Sequence, residues 1–348
     1  IGAAPVPPEP ELLARDPAAP MEPRAVEAYA LGTTHLEQLS RNGLRTAIDQ
    51  LRSAVKIEPG FAQAWTRLAV AHAMEGAFGF TPPLDAIDMA RSAASRAVEA
   101  DGQYYGGHMA LGWVRLWTGD IDGAYQLFKK SLQINPSAPP AIHGEADCLM
   151  FDGHMEESLA RLREMVKISP FSVIDNFPLP SHLYMARRYD EAIVEARALH
   201  TRIPQFPLHR FYSRVYWQQG LFEKALEEEK QECERLGDTV LLAALEAGLA
   251  DSGPSGAMRA MGEALVARAV DSYVEPFIIA GFLARAGRVD ETLYWLEKAI
   301  DNGSYEMHYM AFWPHLDFLR GTDRYQLLVE RVYGPRAAKI RELESELS

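Results

Sequence analysis

From Ala25 onward the hydrophobic and polar positions follow the three- and four-residue rhythm of helices that bury one face. Laid over that rhythm is a small residue that returns at Ala47, Ala90, Ala124, Ser158, Ala192, Ala225, Ala257 and Thr292, at intervals of 43, 34, 34, 34, 33, 32 and 35 residues. A period of ~34 residues is the length of one repeated helix–turn–helix unit. The small side chain is needed where the two helices of a unit approach closely, since a larger one would push them apart. Four residues later a bulkier apolar group fills the space beside it: Leu51, Phe128, Leu162 and Leu296. Twelve residues after the small position Pro59, Pro136, Pro170 and Pro204 stop the second helix.

The unit holding Ala124 carries the pattern most fully, with Leu111 and Gly112 in its first helix, Phe128 in its second and Pro136 at its end. The first interval is longer than the rest, and the stretch 77–84 (AFGFTPPL), with Pro82 and Pro83, is expected to protrude as a loop of about nine extra residues. In the unit ending at Pro204, Pro178 and Pro180 fall in the first helix, which is therefore expected to start near Pro180 and leave 171–179 irregular. Together these features predict an all-α, right-handed superhelical solenoid of about eight helix pairs over 25–322. Residues 323–348 are expected to form a capping helix and tail, whose removal should loosen the last pair first. Seven prolines within the first 23 residues predict an extended linker over 1–24, and with Ile1 in place of a methionine the chain reads as part of something longer.

Composition narrows the functions such an array can have. The formal charge of −13 leaves no basic stripe for phosphates, so no nucleic acid is expected as partner. Lacking an apolar run of ~18 residues, the chain is not expected to insert into a membrane. The compartment stays open between the cytoplasm, which is preferred, and the periplasm if a transmembrane segment precedes the chain. Cys148 and Cys233 lack the spacing of a zinc site or a disulfide framework. No phosphate loop, HExxH, GxSxG or kinase catalytic loop occurs. The chain is therefore expected not to be an enzyme, with no catalytic residue, no cofactor and no metal. His308 and His315, on either side of Trp313, are read as packing and polar cap residues. The 27 arginines against 8 lysines suit a GC-rich bacterial genome.

The phrases AYALGTTHL, LRTAIDQLRSAVKIEPGFAQAWTRLAVAHA, ARRYDEAI and AGRVDETLYWLEKAI resemble the tetratricopeptide repeat (TPR) region of bacterial multidomain signalling proteins. The closing LDFLRGTDRYQLLVERV, with Leu319, Arg320, Asp323 and Tyr325, is similar to the segment that ends such chains. In that family the repeats commonly follow a serine/threonine kinase, winged-helix regulator or nucleotide cyclase domain. The resemblance implies a binding scaffold whose first helices line a concave groove. On those helices the sequence offers Trp113, Trp117, His143, Phe177, Tyr184, Arg210, Arg214 and Trp217 as one partner-binding set. Aromatic residues and arginine dominate binding hot spots, because they bury large area with few rotors and arginine adds bidentate hydrogen bonds. The expected occupant is a protein or peptide segment, from a partner or from the chain's own missing N-terminal domain. Two alternatives remain: regulation of a kinase or cyclase domain absent here, or a structural role in an envelope assembly.

Overall fold

The computed structural model describes residues 21–346, apart from residues 39, 79 and 205 and the side chains of 173 and 174. The expected linker over 1–24 lies almost wholly outside the described residues. The chain is all-α: no strand occurs among the described residues, and no helix there is long and apolar enough to cross a membrane. It divides at Gly144 into two compact units, 1–144 and 145–348.

In the first unit α1 (Pro23–Leu36) pairs with α2 (Arg41–Ile57), α3 (Ala62–Ala77) with α4 (Pro83–Ala100), and α5 (Tyr105–Trp117) with α6 (Ile121–Ile134). The unit ends within α7 (Pro139–Phe151). Starts are set by local chemistry. Ser40 Oγ accepts from the Gly43 amide at 3.1 Å and Asp120 Oδ1 from the Gly123 amide at 2.9 Å, each satisfying a donor that the first turn leaves orphaned. Pro23 and Pro83 open α1 and α4, where a missing amide hydrogen costs nothing.

The expected protrusion over 77–84 is shorter than predicted: Ala77, Pro83 and Leu84 are helical, and the connection is confined to 78–82. Helix α3 runs through Ala77 and α4 begins at Pro83, and they are 16 and 18 residues long against 13 and 14 for α5 and α6. The extra length is absorbed as added turns, because Pro83 at the first helical position starts a helix instead of breaking one.

The second unit continues with α8 (Met155–Ile168), the single turn α9 (Val173–Asn176), α10 (Pro178–Met185), α11 (Tyr189–Arg202), α12 (His209–Gln218) and α13 (Phe222–Leu236). Helix α10 starts late, as expected, at Pro178 with both prolines in its first turn, but the stretch before it is not wholly irregular, since α9 takes up one turn of it. Helix α14 (Thr239–Arg268) is broken by non-helical Ser252 and Gly253, so it forms two halves with Pro254 opening the second. Then come α15 (Pro276–Arg285), α16 (Val289–Asp301), the 3-10 segments Tyr305–Phe312 and Pro314–Leu319, α17 (Asp323–Tyr333) and α18 (Ala337–Glu346).

All of the small residues that set the period are buried, none more than 1% exposed, and Leu51, Phe128, Leu162 and Leu296 beside them are fully buried. Within four of the pairs the turn carries a glycine at positive φ: Gly119, Gly153, Gly220 and Gly287. Between α10 and α11 the same place is held by Arg187, at φ 60°, a conformation that costs a side-chain-bearing residue roughly 1–2 kcal/mol. Its guanidinium explains its presence there. Nη1 donates to the Phe312 carbonyl at 2.7 Å and Nη2 to Asp317 Oδ1 at 2.6 Å, so the turn grips the C-terminal segment.

Candidate functional site

The eight residues assigned to a partner separate into one set in each unit. In the first, Trp113 and Trp117 lie one turn apart on α5 with ring centroids 5.6 Å apart. Trp113 is half-buried and held from three sides. Its ring meets Phe128 edge-on at 5.4 Å and His143 at 4.8 Å, and its Nε1 donates to the Pro140 carbonyl at 3.1 Å. Trp117 is half-buried against Ile87, Ala90 and Val114. Both rings are therefore packed against neighbouring side chains yet only half-buried, the state in which an aromatic side chain serves an interface without loss of order on binding.

In the second unit Phe177 packs edge-on against Phe206 and Phe211, at 5.7 and 5.5 Å. Trp217 rests against Phe222 at 4.8 Å and keeps part of its surface exposed. Tyr184 departs from the expected role: it is 0% exposed and offers nothing to a partner. The chain's own C-terminal segment covers it. Trp313 lies 5.7 Å from its ring, and its hydroxyl is 3.3 Å from His315 Nδ1. The same segment meets Arg214, whose guanidinium lies over the Trp313 ring at 5.5 Å. Periodicity assigns these side chains to one face; it cannot supply that residues 313–317 lie against part of that face.

Arg210, Arg214 and Arg285 converge on a cleft of about 70 Å³ that α12 and α15 form with the segment Pro314–Leu319. Arg285 is buried and paired: Nη1 donates to Glu229 Oε1 at 2.9 Å and to Ser213 Oγ at 3.0 Å. Arg210 approaches Glu232 only to 3.9 Å, and its buried Nε has no hydrogen-bond partner among the described residues. Burial pulls the Arg214 pKa below the usual guanidinium range, while Glu306 acts on it only through space. Glu306 itself is shifted up by burial, against the pull of Arg214.

His315 completes the cleft. Burial, reinforced by Arg214, Arg285 and Arg187, holds its pKa well below the ordinary imidazole value, so the ring is neutral. Tyr184 Oη lies 3.3 Å from Nδ1, a contact in which either group can donate; where the phenol donates, the ring proton sits on Nε2, and that nitrogen has no partner among the described residues. The sequence reading of His315 as a packing and cap residue thus covers one ring nitrogen and misses the other. Arg285 and Glu229 were missed altogether. A signal existed for Arg285, a lone cation at the end of the otherwise apolar PFIIAGFLAR.

A second polar cluster lies deep in the same unit. Ser158 Oγ is 3.0 Å from His182 Nδ1, His182 Nε2 is 2.9 Å from Asp147 Oδ1, and Tyr309 O–H donates to Asp147 Oδ2 at 2.6 Å. Ser, His and Asp are the residue types of a nucleophilic triad, but the ring is reversed relative to that template, in which the serine meets Nε2. Both Ser158 and Asp147 are fully buried, so no substrate reaches the hydroxyl. The cluster ties the C-terminal segment to α7 and α8.

The family model described as Tetratricopeptide repeat matches residues 118–173, which run from the end of α5 to α9. No curated protein matches the chain. Among solved structures, a thermophilic TPR protein of Thermus thermophilus is 18% identical with TM-score 0.44, covering 52% of this chain and 92% of its own. Pseudomonas aeruginosa pilF is 16% identical with TM-score 0.42, over 62% of this chain and 94% of that one. A tetratricopeptide repeat protein from Parabacteroides merdae is 12% identical with TM-score 0.40, over 93% of this chain and 100% of its own.

Proposed function

We propose that the chain is a protein–protein interaction module that takes a partner segment against its first helices. Stacked helix pairs offer extended surface without a closed core, and this architecture serves generally as a binding scaffold. The observation that carries the specific reading is the state of Trp113, Trp117 and Trp217, each packed against neighbouring side chains yet only half-buried. The segment belongs to a separate protein, or to a kinase, winged-helix regulator or nucleotide cyclase domain of the same bacterial signalling polypeptide, in the cytoplasm. Catalysis by this region is no part of the proposal; the burial of Ser158 and Asp147 supports leaving it out.

The test is a partner captured on the full chain, purified, and titrated against variants. Trp117→Ala and Trp217→Ala are each expected to weaken binding by ~2 kcal/mol or more with helical circular dichroism unchanged. Glu223→Ala and Glu234→Ala, both exposed on α13, are the controls. Equal weakening by the two sets would remove the reading.

A further inference from the structure

The cleft between α12, α15 and Pro314–Leu319 has features that partner binding through the tryptophans does not use. Its polar groups are almost all donors. Glu229, the one acid in its wall, is already engaged by Arg285. Arg214 has no carboxylate at ion-pair distance among the described residues, and its Nε only reaches the Arg210 carbonyl at 3.3 Å. His315, 5% exposed, directs an unpartnered Nε2 into the cleft, close to Gly281, whose missing side chain leaves the approach open. A buried donor without a partner is unfavourable, and so is a guanidinium drawn partly out of water without a counter-ion. An occupant that supplies acceptors and one negative charge removes both penalties.

We propose that this cleft binds a monocarboxylate carried on an apolar stem, with Arg214, Arg210 and the His315 Nε2–H on the carboxylate and Phe277 and Phe282 along the stem. Charge favours an anion. Three arginines converge there; Glu229 neutralises Arg285, whereas Glu232 lies 2.7 Å from Arg235 and only 3.9 Å from Arg210, so positive charge is left over. The third nearby acid, Glu306, is held toward its neutral form by burial. The wall chemistry matches the stem, since Phe277 and Phe282 are buried core residues whose edges reach the cleft beside Ile278. A planar carboxylate also suits the paired N–H edges of guanidinium better than a point charge does. This inference goes beyond the partner-binding reading and does not depend on it, since a free acid would satisfy the cleft equally.

The experiment titrates 3-phenylpropionate into the full chain by calorimetry, with 3-phenylpropanamide and inorganic phosphate as comparisons, and follows His315 Nε2 by nitrogen NMR. Saturable binding of the acid is expected, with the amide and phosphate at least tenfold weaker and a shift of the His315 Nε2 signal on saturation. Arg214→Gln should weaken the acid at least tenfold. Should that variant not fold, Arg210→Gln carries the test, because Arg210 is 30% exposed and its loss leaves the core intact. Lys298→Gln, outside the cleft, should change nothing. The tripeptide acetyl-Ala-Ala-Phe, with a free or an amidated end, separates the sources: tighter binding of its free-acid form than of 3-phenylpropionate assigns the carboxylate to a chain end, weaker binding to a free small acid. Equal affinity for acid and amide, displacement of the acid by phosphate at equal concentration, or undiminished binding by a folded Arg214→Gln or Arg210→Gln protein would overturn the proposal.

Discussion

A methyl group at Gly144 would stand 2.1 Å from Cζ of Phe128, and one at Gly112 would stand 2.7 Å from Cε1 of the same ring. Phe128 is therefore seated between two glycines, one on α5 and one on α7, and it is fully buried. Gly144→Ala should overpack this seat and lower unfolding stability by ~1–3 kcal/mol, measured by chemical denaturation. Gly102→Ala is the comparison, since its methyl would meet nothing nearer than the Val98 carbonyl at 3.7 Å. Equal melting of the two variants would show that the helices separate easily and that the small residues do not set their distance. This level of the molecule was legible in the sequence. Gly112, Ala124, Phe128 and Pro136 form one local pattern whose geometry repeats, and the burial of every small residue in the series follows from it. Arg187 was not legible, because nothing in ARRYDEAI states that its backbone takes a glycine conformation or that its side chain reaches Phe312 and Asp317, 125 and 130 residues away.

Among the helices, those that deviate from the repeat do so where proline or glycine changes the local rules. Pro178 opens the shortened α10 close to the expected Pro180, Pro83 opens a helix inside an expected loop, and Ser252 and Gly253 divide α14. Pattern alone cannot say whether a proline ends one helix or begins the next, since both uses share the same residue. The last helix shows the opposite case, a regular element whose docking only long-range contacts determine. Helix α18 returns to the turn after α7: Arg336 and Lys339 donate to Asp152 Oδ1 at 2.5 and 2.9 Å, and Leu343 lies against Gly153. Burial raises the Asp152 carboxyl, but the hydrogen bonds and charges of Lys339 and Arg336 outweigh it and hold the group below its usual pKa. A carboxyl depressed in the folded state stabilises fully above its unfolded value and loses that contribution as pH falls through the folded one. Asp152→Asn should thus lower amide protection in α18 near neutral pH. The difference from the natural chain should shrink below about pH 3.9, the ordinary aspartate value. A difference that persists unchanged in acid would mean that packing, not charge, docks the helix.

At the level of the whole molecule, an open stack of helix pairs would pass stability only between neighbours, so that loss of its end would loosen the last pair first. The second unit is not open in this way. Tyr309 bonds Asp147 across 162 residues, Phe151 meets Tyr309 and Phe312 at 5.6 Å each, and Arg336 bonds Asp152 across 184 residues. The returning segment is itself braced by α17 and α18, since Tyr333 O–H donates to the His308 carbonyl at 2.7 Å and Tyr325 O–H to Glu344 Oε1 at 2.8 Å. None of these contacts was readable in the sequence, because 3-10 segments lack the helical rhythm and the partners share no local pattern. They change what truncation should do. Removing residues 323–348 takes away the brace and the Asp152 contacts together, so the 3-10 segments lose support and the Asp147 network loses Tyr309. Hydrogen exchange should then rise in α8 and in the part of α7 after Gly144 at the same time as in α16, although α8 lies more than 150 residues from the cut. Exchange that rises in α16 alone would restore the open stack and reduce the returning segment to a passive tail.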